Sequence, residues 1–155
     1  MNMTKIVRTT ADVLYPFCLV FGLYIVAHGH LSPGGGFQGG SVMATGVALL
    51  IVSRSYTAIL QRIRKEALKL CEAIGLLMFL VAALSGLYIG GSFLHNWLAG
   101  TGGLFGTPVA FGPNPGTFNT AGVVPILNLA VGLEVLGGLA VILLYMLSGL
   151  REDTP

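Results

Sequence analysis

The sequence predicts an all-α integral membrane protein of about four transmembrane helices, with N- and C-termini cytoplasmic and a Gly-rich hairpin between helices 1 and 2. Three observations predict it. Hydrophobic residues make up 54% of the 155 and charged residues only 9%. A soluble domain carries about 25% charged residues, so too little polar surface is left to coat a globule in water. Four apolar runs approach the ~20 residues that span hydrocarbon. Finally, Lys and Arg fall only on alternate sides of these runs. Lys5 and Arg8 precede the first; Arg54, Arg62, Arg64, Lys65 and Lys69 separate the second from the third; Arg151 follows the last. The positive-inside rule then places both termini in the cytoplasm of a multi-pass cell-membrane protein. The chain, 1–155, reads as a single membrane domain whose solvent is the lipid bilayer.

The first span covers about 9–27, with Pro16 in its first turns, where proline costs least. Asp12 and Pro16 interrupt the apolar run and no Ala-x-Ala-like site follows, so an uncleaved helix is expected rather than a signal peptide. The segment His28-Gly-His30-Leu-Ser-Pro33-Gly34-Gly35-Gly36-Phe37-Gln38-Gly39-Gly40 comes next. Flexible linkers are Gly/Ser-rich and not flanked by long apolar runs; this stretch is flanked on both sides and reads as a packed element. The second span covers about 37–53. Gly36, Gly40 and Ala44 form a small-residue ridge along it, suited to close helix approach within the chain or to another subunit.

An amphipathic cytoplasmic segment is expected over 54–70. Tyr56, Ile59, Ile63, Ala67 and Leu70 recur at helical spacing, and Arg62 and Glu66 can pair across one turn. It is expected to lie at the headgroups or to dock on another subunit. Its basic residues have a topological explanation, so no nucleic acid partner is expected. The third span covers about 73–93, with Trp97 just beyond at interface depth. A Gly/Pro-rich outer loop follows over 94–120. Pro108, Pro113 and Pro115 exclude regular helix there, and Phe105, Val109, Phe111 and Phe118 should hold it against membrane or protein. The fourth span covers about 123–147, opening near Pro125, and Arg151, Glu152 and Asp153 close the chain in water.

Ionisable residues inside a span are expensive, which makes them functional candidates. Glu134 sits near the middle of the fourth span. Unpaired, it would favour its protonated form through desolvation and could exchange protons or bind Na+; the alternative is a neutral or paired residue that fixes helix packing. His28 and His30 could relay protons, or hydrogen-bond loop carbonyls. Two imidazoles fall short of the three or four ligands of a stable metal site, so no metal is expected. Asn128 precedes Glu134 by six residues, faces another side, and could satisfy a polar partner across helices. Asp12 and Glu72, at the cytoplasmic edges of the first and third spans, suit a capping or dipole role. Cys18 and Cys71 read as small buried hydrophobes. Gly34 to Gly39 formally match G-x-G-x-x-G, but a dinucleotide site needs a preceding strand and a later acidic residue. No nucleophile-base-acid arrangement is present, so the chain does not read as an enzyme.

The His28–Gly40 segment resembles the signature of the B subunit of Mrp-type multisubunit Na+/H+ antiporters. That family includes the equivalent subunit of archaeal membrane-bound hydrogenase and sulfane reductase complexes. Weaker similarity extends over the four spans, the basic connection after the second, and Pro125-Ile-Leu-Asn-Leu-Ala-Val-Gly opening the fourth. The resemblance implies a small non-catalytic subunit of a complex I-related assembly, without a redox cofactor of its own. Its partners would be other membrane subunits, and its transported ions Na+ and H+. The same subunit could sit in a hydrogenase or sulfane reductase complex. An autonomous homo-oligomeric channel or carrier is a further alternative, although no internal repeat supports it. The chain departs from bacterial members in one respect. The position matching Asn128 looks acidic in them, and Glu134 stands where they are apolar.

Overall fold

The computed structural model describes residues 3–54, 56–109 and 116–149. Phe111, Pro113, Pro115 and the terminal Arg151, Glu152 and Asp153 lie outside these described residues. Five helices follow in order: α1 (Lys5–Ala27), α2 (Gly36–Ser53), α3 (Tyr56–Arg62), α4 (Lys65–Gly90) and α5 (Val124–Gly149). Four of them, all but α3, are long and apolar enough to cross a membrane. The chain is therefore an all-α membrane protein with four membrane-spanning helices.

The long helices form an open row. α1 packs on α2, α2 on α5, and α5 on α4, while α1 touches α5 only lightly. Glycines set each seam. A Cβ on Gly39 of α2 would lie 2.5 Å from the Gly22 carbonyl oxygen of α1. On Gly40 it would lie 2.8 Å from the Gly132 carbonyl oxygen of α5. At Gly137 of α5 it would meet the Leu68 carbonyl oxygen of α4 at 2.6 Å. Backbones this close gain packing that no larger residue permits. Gly36 and Gly40 thus serve helix packing within the chain.

Several boundaries differ from the sequence expectation. α1 starts earlier because Thr4 caps it, its hydroxyl accepting from the Val7 amide at 3.5 Å. Pro16 consequently falls mid-helix rather than in the first turns, a position that membrane helices tolerate when neighbours satisfy the freed carbonyl. The stretch 54–70 is not one amphipathic segment. Arg64 is extended (φ −80°, ψ 116°) and breaks it, so α3 ends at Arg62 and Lys65 already begins α4. Nor does it lie apart from the bundle. Ile59 of α3 is fully buried in a cluster with Ala11, Leu50, Ile51, Ala140 and Leu144, taken from α1, α2 and α5. α4 ends at Gly91, whose left-handed φ of 75° glycine adopts without strain.

The break also re-pairs the charges. Arg62 does not meet Glu66. It donates to Asp12 at 2.8 Å, and Arg54 donates to the other oxygen of the same carboxylate. Glu66 instead lies 3.9 Å from Lys69. Asp12 sits about two turns into α1 rather than at its edge, and it tethers α2 and α3 to α1.

The loop after α4 folds back on the helices. Trp97 Nε1 donates to Ser85 Oγ at 2.9 Å. Asn96 Oδ1 accepts the Val123 amide at 2.8 Å just before α5, and its Nδ2 donates to the Ala121 carbonyl at 3.0 Å. Asn119 accepts from the Phe105 amide and donates to Thr107 Oγ1 at 3.0 Å. An isolated parallel bridge joins Thr107 to Thr120.

Candidate functional site

Glu134 lies on the α4–α5 seam. Its amide nitrogen would be 2.5 Å from a Cβ at Gly75, so its backbone presses directly on α4. One turn nearer the basic end, Glu72 of α4 lies across Gly138 of α5. A Cβ at position 138 would sit 3.6 Å from the Glu72 carboxylate. Glu134 and Gly138 are four residues apart and share one helix face. Both glutamates are half-buried, and neither has an ion-pair or hydrogen-bond partner among the described residues.

Glu72 was expected at a helix edge. The early start of α4 places it in the helix interior, opposite residues 137 and 138 near the midpoint of α5. At 1.5 Å per residue, Glu72 lies about 8 Å and Glu134 about 4 Å from the midpoints of their helices. Toward the basic end the same face carries Lys65 and Lys69, whose ammonium groups stand 5.2 Å and 5.6 Å from the Tyr145 ring centroid.

The histidines belong to a second region at the opposite end. His28 Nδ1 donates to the Tyr24 carbonyl at 2.9 Å, and its ring lies against Tyr24 and, edge-on, Phe118. His30 Nε2 donates to the Phe118 carbonyl at 3.1 Å, with Phe105 and Phe118 around the ring. A carbonyl only accepts, so each bond selects a tautomer. Both imidazoles thus dock the loop after α4 onto the glycine hairpin, and they point to separate carbonyls. Among the described residues no three His, Cys, Asp or Glu side chains gather as a metal would require. Cys18 and Cys71 are free thiols.

Asn128 faces this region, not Glu134. A Cβ on Gly29 would lie 2.6 Å from its Nδ2, and one on Gly35 3.5 Å from its Oδ1. Asn128 Nδ2 and His30 Nδ1 are both buried without a hydrogen-bond partner among the described residues. Asn128 and Glu134 are separated by about 9 Å along α5 and face α2 and α4 respectively. The remaining signature residues divide by role. Gly34 lies close to Ile25. Gly35 is the extended residue before α2, Gly36 and Gly40 admit α5, and Gly39 admits α1. Pro33, Phe37 and Gln38 are exposed.

The comparison with known families follows this geometry. A family described as a domain related to the MnhB subunit of Na+/H+ antiporter matches residues 6–141, which takes in α2, α3 and α4 whole and most of α1 and α5. The chain belongs to this family. An uncharacterized protein of Methanocaldococcus jannaschii is 36% identical over 88% of this chain and 50% of its own length. A Staphylococcus haemolyticus protein named as antiporter subunit mnhB2 is 28% identical over 59% of this chain and 64% of its own length. Its Staphylococcus aureus counterpart is 26% identical over the same shares. The chain thus spans between half and two-thirds of the relatives it matches. Family and helices together define a multi-pass cell-membrane protein, of a family that is not an enzyme class.

Sequence reasoning singled out Glu134 and gave its neighbour Glu72 only a capping or dipole role. Gly75 and the pair Gly137-Gly138, lying inside apolar runs, were the available signal, since glycine in a membrane helix marks a close crossing.

Proposed function

We propose that the chain is a non-catalytic membrane subunit of an Mrp-type, complex I-related cation/proton antiporter assembly. Both termini and the Arg54–Lys69 end lie in the cytoplasm, and the glycine hairpin lies outside. The subunit joins larger membrane subunits and contributes to Na+/H+ translocation. One observation carries the translocation role. Glu134 is a half-buried carboxyl near the middle of the apolar helix α5, without a cation partner among the described residues. Such a group can take up and release H+ or Na+ during turnover. Glu72, one turn toward the basic end on the same seam, is a second carboxyl beside it. His28 and His30 hold the outer loop closed above Asn128.

The test is Glu134→Gln in the assembled complex, with Na+-driven proton movement followed in everted vesicles across pH. The carboxamide keeps size and packing but cannot titrate. Exchange should drop at least tenfold at unchanged complex abundance. Unaltered pH and Na+ dependence would leave Glu134 as a packing residue and end the translocation role.

A further inference from the structure

We propose that the groove between α1 and α2 at their basic end holds one anionic phospholipid, with an acyl chain along its apolar trough and the phosphate at Lys5. Only the membrane-spanning helices are needed for this, whether or not Glu134 titrates. The trough is a cavity of about 220 Å³ whose walls include Ile6 and Leu14 of α1 and Leu49 and Val52 of α2. Ile6 and Val52 are 78% and 64% exposed, so it opens outward from the bundle. Ile6 and Thr10 also line a second hollow, which reaches Lys5 and Thr9. The two hollows form one surface that runs from hydrocarbon to charge. Lys5 is the first residue of α1 and Ser53 the last of α2, so the charged part lies at the helix ends. Leu14 lies about 13 Å further along α1. Among the described residues lining the two hollows, Lys5 is the one cation and there is no carboxylate. Arg54, which follows Ser53, is turned to Asp12 instead. The Lys5 ammonium and the Thr9 and Thr10 hydroxyls have no partner among the described residues. A phosphate would accept from all three. Ligand sites of this kind pair an apolar wall with a few placed polar groups. An apolar helix laid in the trough would leave Lys5 without an anion, whereas a phospholipid fills the trough and supplies the counter-charge.

The test titrates the purified chain in detergent with phosphatidylglycerol and with phosphatidylcholine of the same acyl chains, and native mass spectrometry counts the lipids bound. One phosphatidylglycerol should bind about fivefold tighter than phosphatidylcholine, the usual worth of one lysine beside an anionic lipid. Lys5→Gln should abolish that preference and Lys5→Arg should keep it. Val52→Trp should fill the trough and weaken both lipids several-fold, and Ile6→Trp takes its place if that variant does not fold. Equal binding of the two lipids by the wild-type chain, an unchanged preference in Lys5→Gln, or undiminished binding to the filled trough overturns the proposal. Displacement of phosphatidylglycerol by millimolar inorganic phosphate also overturns it, since Lys5 would then hold a free anion. In native membranes, p-benzoylphenylalanine at position 52 should capture phospholipid on illumination. Capture of another protein, or of a second copy of this chain, would mean that a neighbour covers the groove, and the lipid site fails.

Discussion

Gly75 of α4 and Glu134 of α5 meet backbone to backbone, with room at position 75 for hydrogen alone. A methyl group there would lie 2.5 Å from the Glu134 amide nitrogen and 2.6 Å from the Ala130 carbonyl oxygen. Neither atom belongs to a flexible side chain, so only separation of the helices relieves the clash. Gly75→Val should therefore destabilise the detergent-solubilised chain by about 1–3 kcal/mol, the usual range for overpacking. It should also displace Glu134. Gly138→Ala is the internal control, because its new carbon meets Glu72 only at 3.6 Å. Thermal unfolding should rank Gly75→Val well below Gly138→Ala; equal midpoints would mean that the α4–α5 seam is looser than described.

Asp12 holds two arginines from two other elements. Arg54, its side chain only 17% exposed, and Arg62 bond to opposite oxygens of its carboxylate. Removal of the carboxylate charge leaves Arg54 largely buried beside no anion, which is more costly than a lost surface pair. Asp12→Asn should loosen α3 and its connections while the four spans persist. Hydrogen exchange should show faster amide exchange across α3 at unchanged rates in the middle of α5. The stabilising pair requires the ionised carboxylate, so acid should reproduce the loosening in the wild-type chain and add little to the variant. Equal α3 protection in both chains would contradict the tether.

The spans were legible because hydrocarbon thickness fixes the length of an apolar run whatever packs around it. Residues at the ends were less legible, because local chemistry sets them. Thr4 capping moves the start of α1 and pushes Pro16 and Asp12 inward. The extended Arg64 cuts one amphipathic pattern into two helices and separates Arg62 from Glu66. Glu134 stood out in sequence because apolar residues surround it on both sides. Glu72 did not, since a basic stretch precedes it and hides the helix start at Lys65. The facing of Asn128 and Glu134 toward different neighbours followed from helical periodicity alone. That α2 and α4 are those neighbours depends on which glycines meet, and no spacing rule states that.

The glycine ridge of α2 separates folding from assembly. Gly40 has no space for a side chain, since a Cβ would lie 2.8 Å from both the Gly132 carbonyl oxygen and the Val135 side chain. Phe37, three residues earlier, is 61% exposed. Gly40→Ala should thus lower the stability of the isolated chain by about 1–3 kcal/mol through overpacking. Phe37→Ala should leave it within about 0.5 kcal/mol, as exposed positions generally do. Denaturation in detergent compares the two directly, and a stable Gly40→Ala chain would mean that α2 and α5 do not cross at this point.

Asn119 does for the loop after α4 what Asp12 does at the opposite end. Its carbonyl oxygen accepts from the Phe105 amide, and its amide group donates to Thr107 Oγ1 at 3.0 Å. Phe105 has a left-handed φ of 58°, unfavourable for a bulky residue unless its surroundings enforce it. Asn119→Ala removes that enforcement and leaves a part-buried N–H without its acceptor, at about 1–3 kcal/mol. The effect should stay local. Exchange should accelerate at Phe105, Thr107 and Gly122, whose amides bond to Asn119 or across the loop. Amides in the interiors of α2 and α5 should be unaffected, because their bonds lie within the helices. Acceleration throughout α5 would instead show that the loop supports the whole bundle rather than closing one end of it.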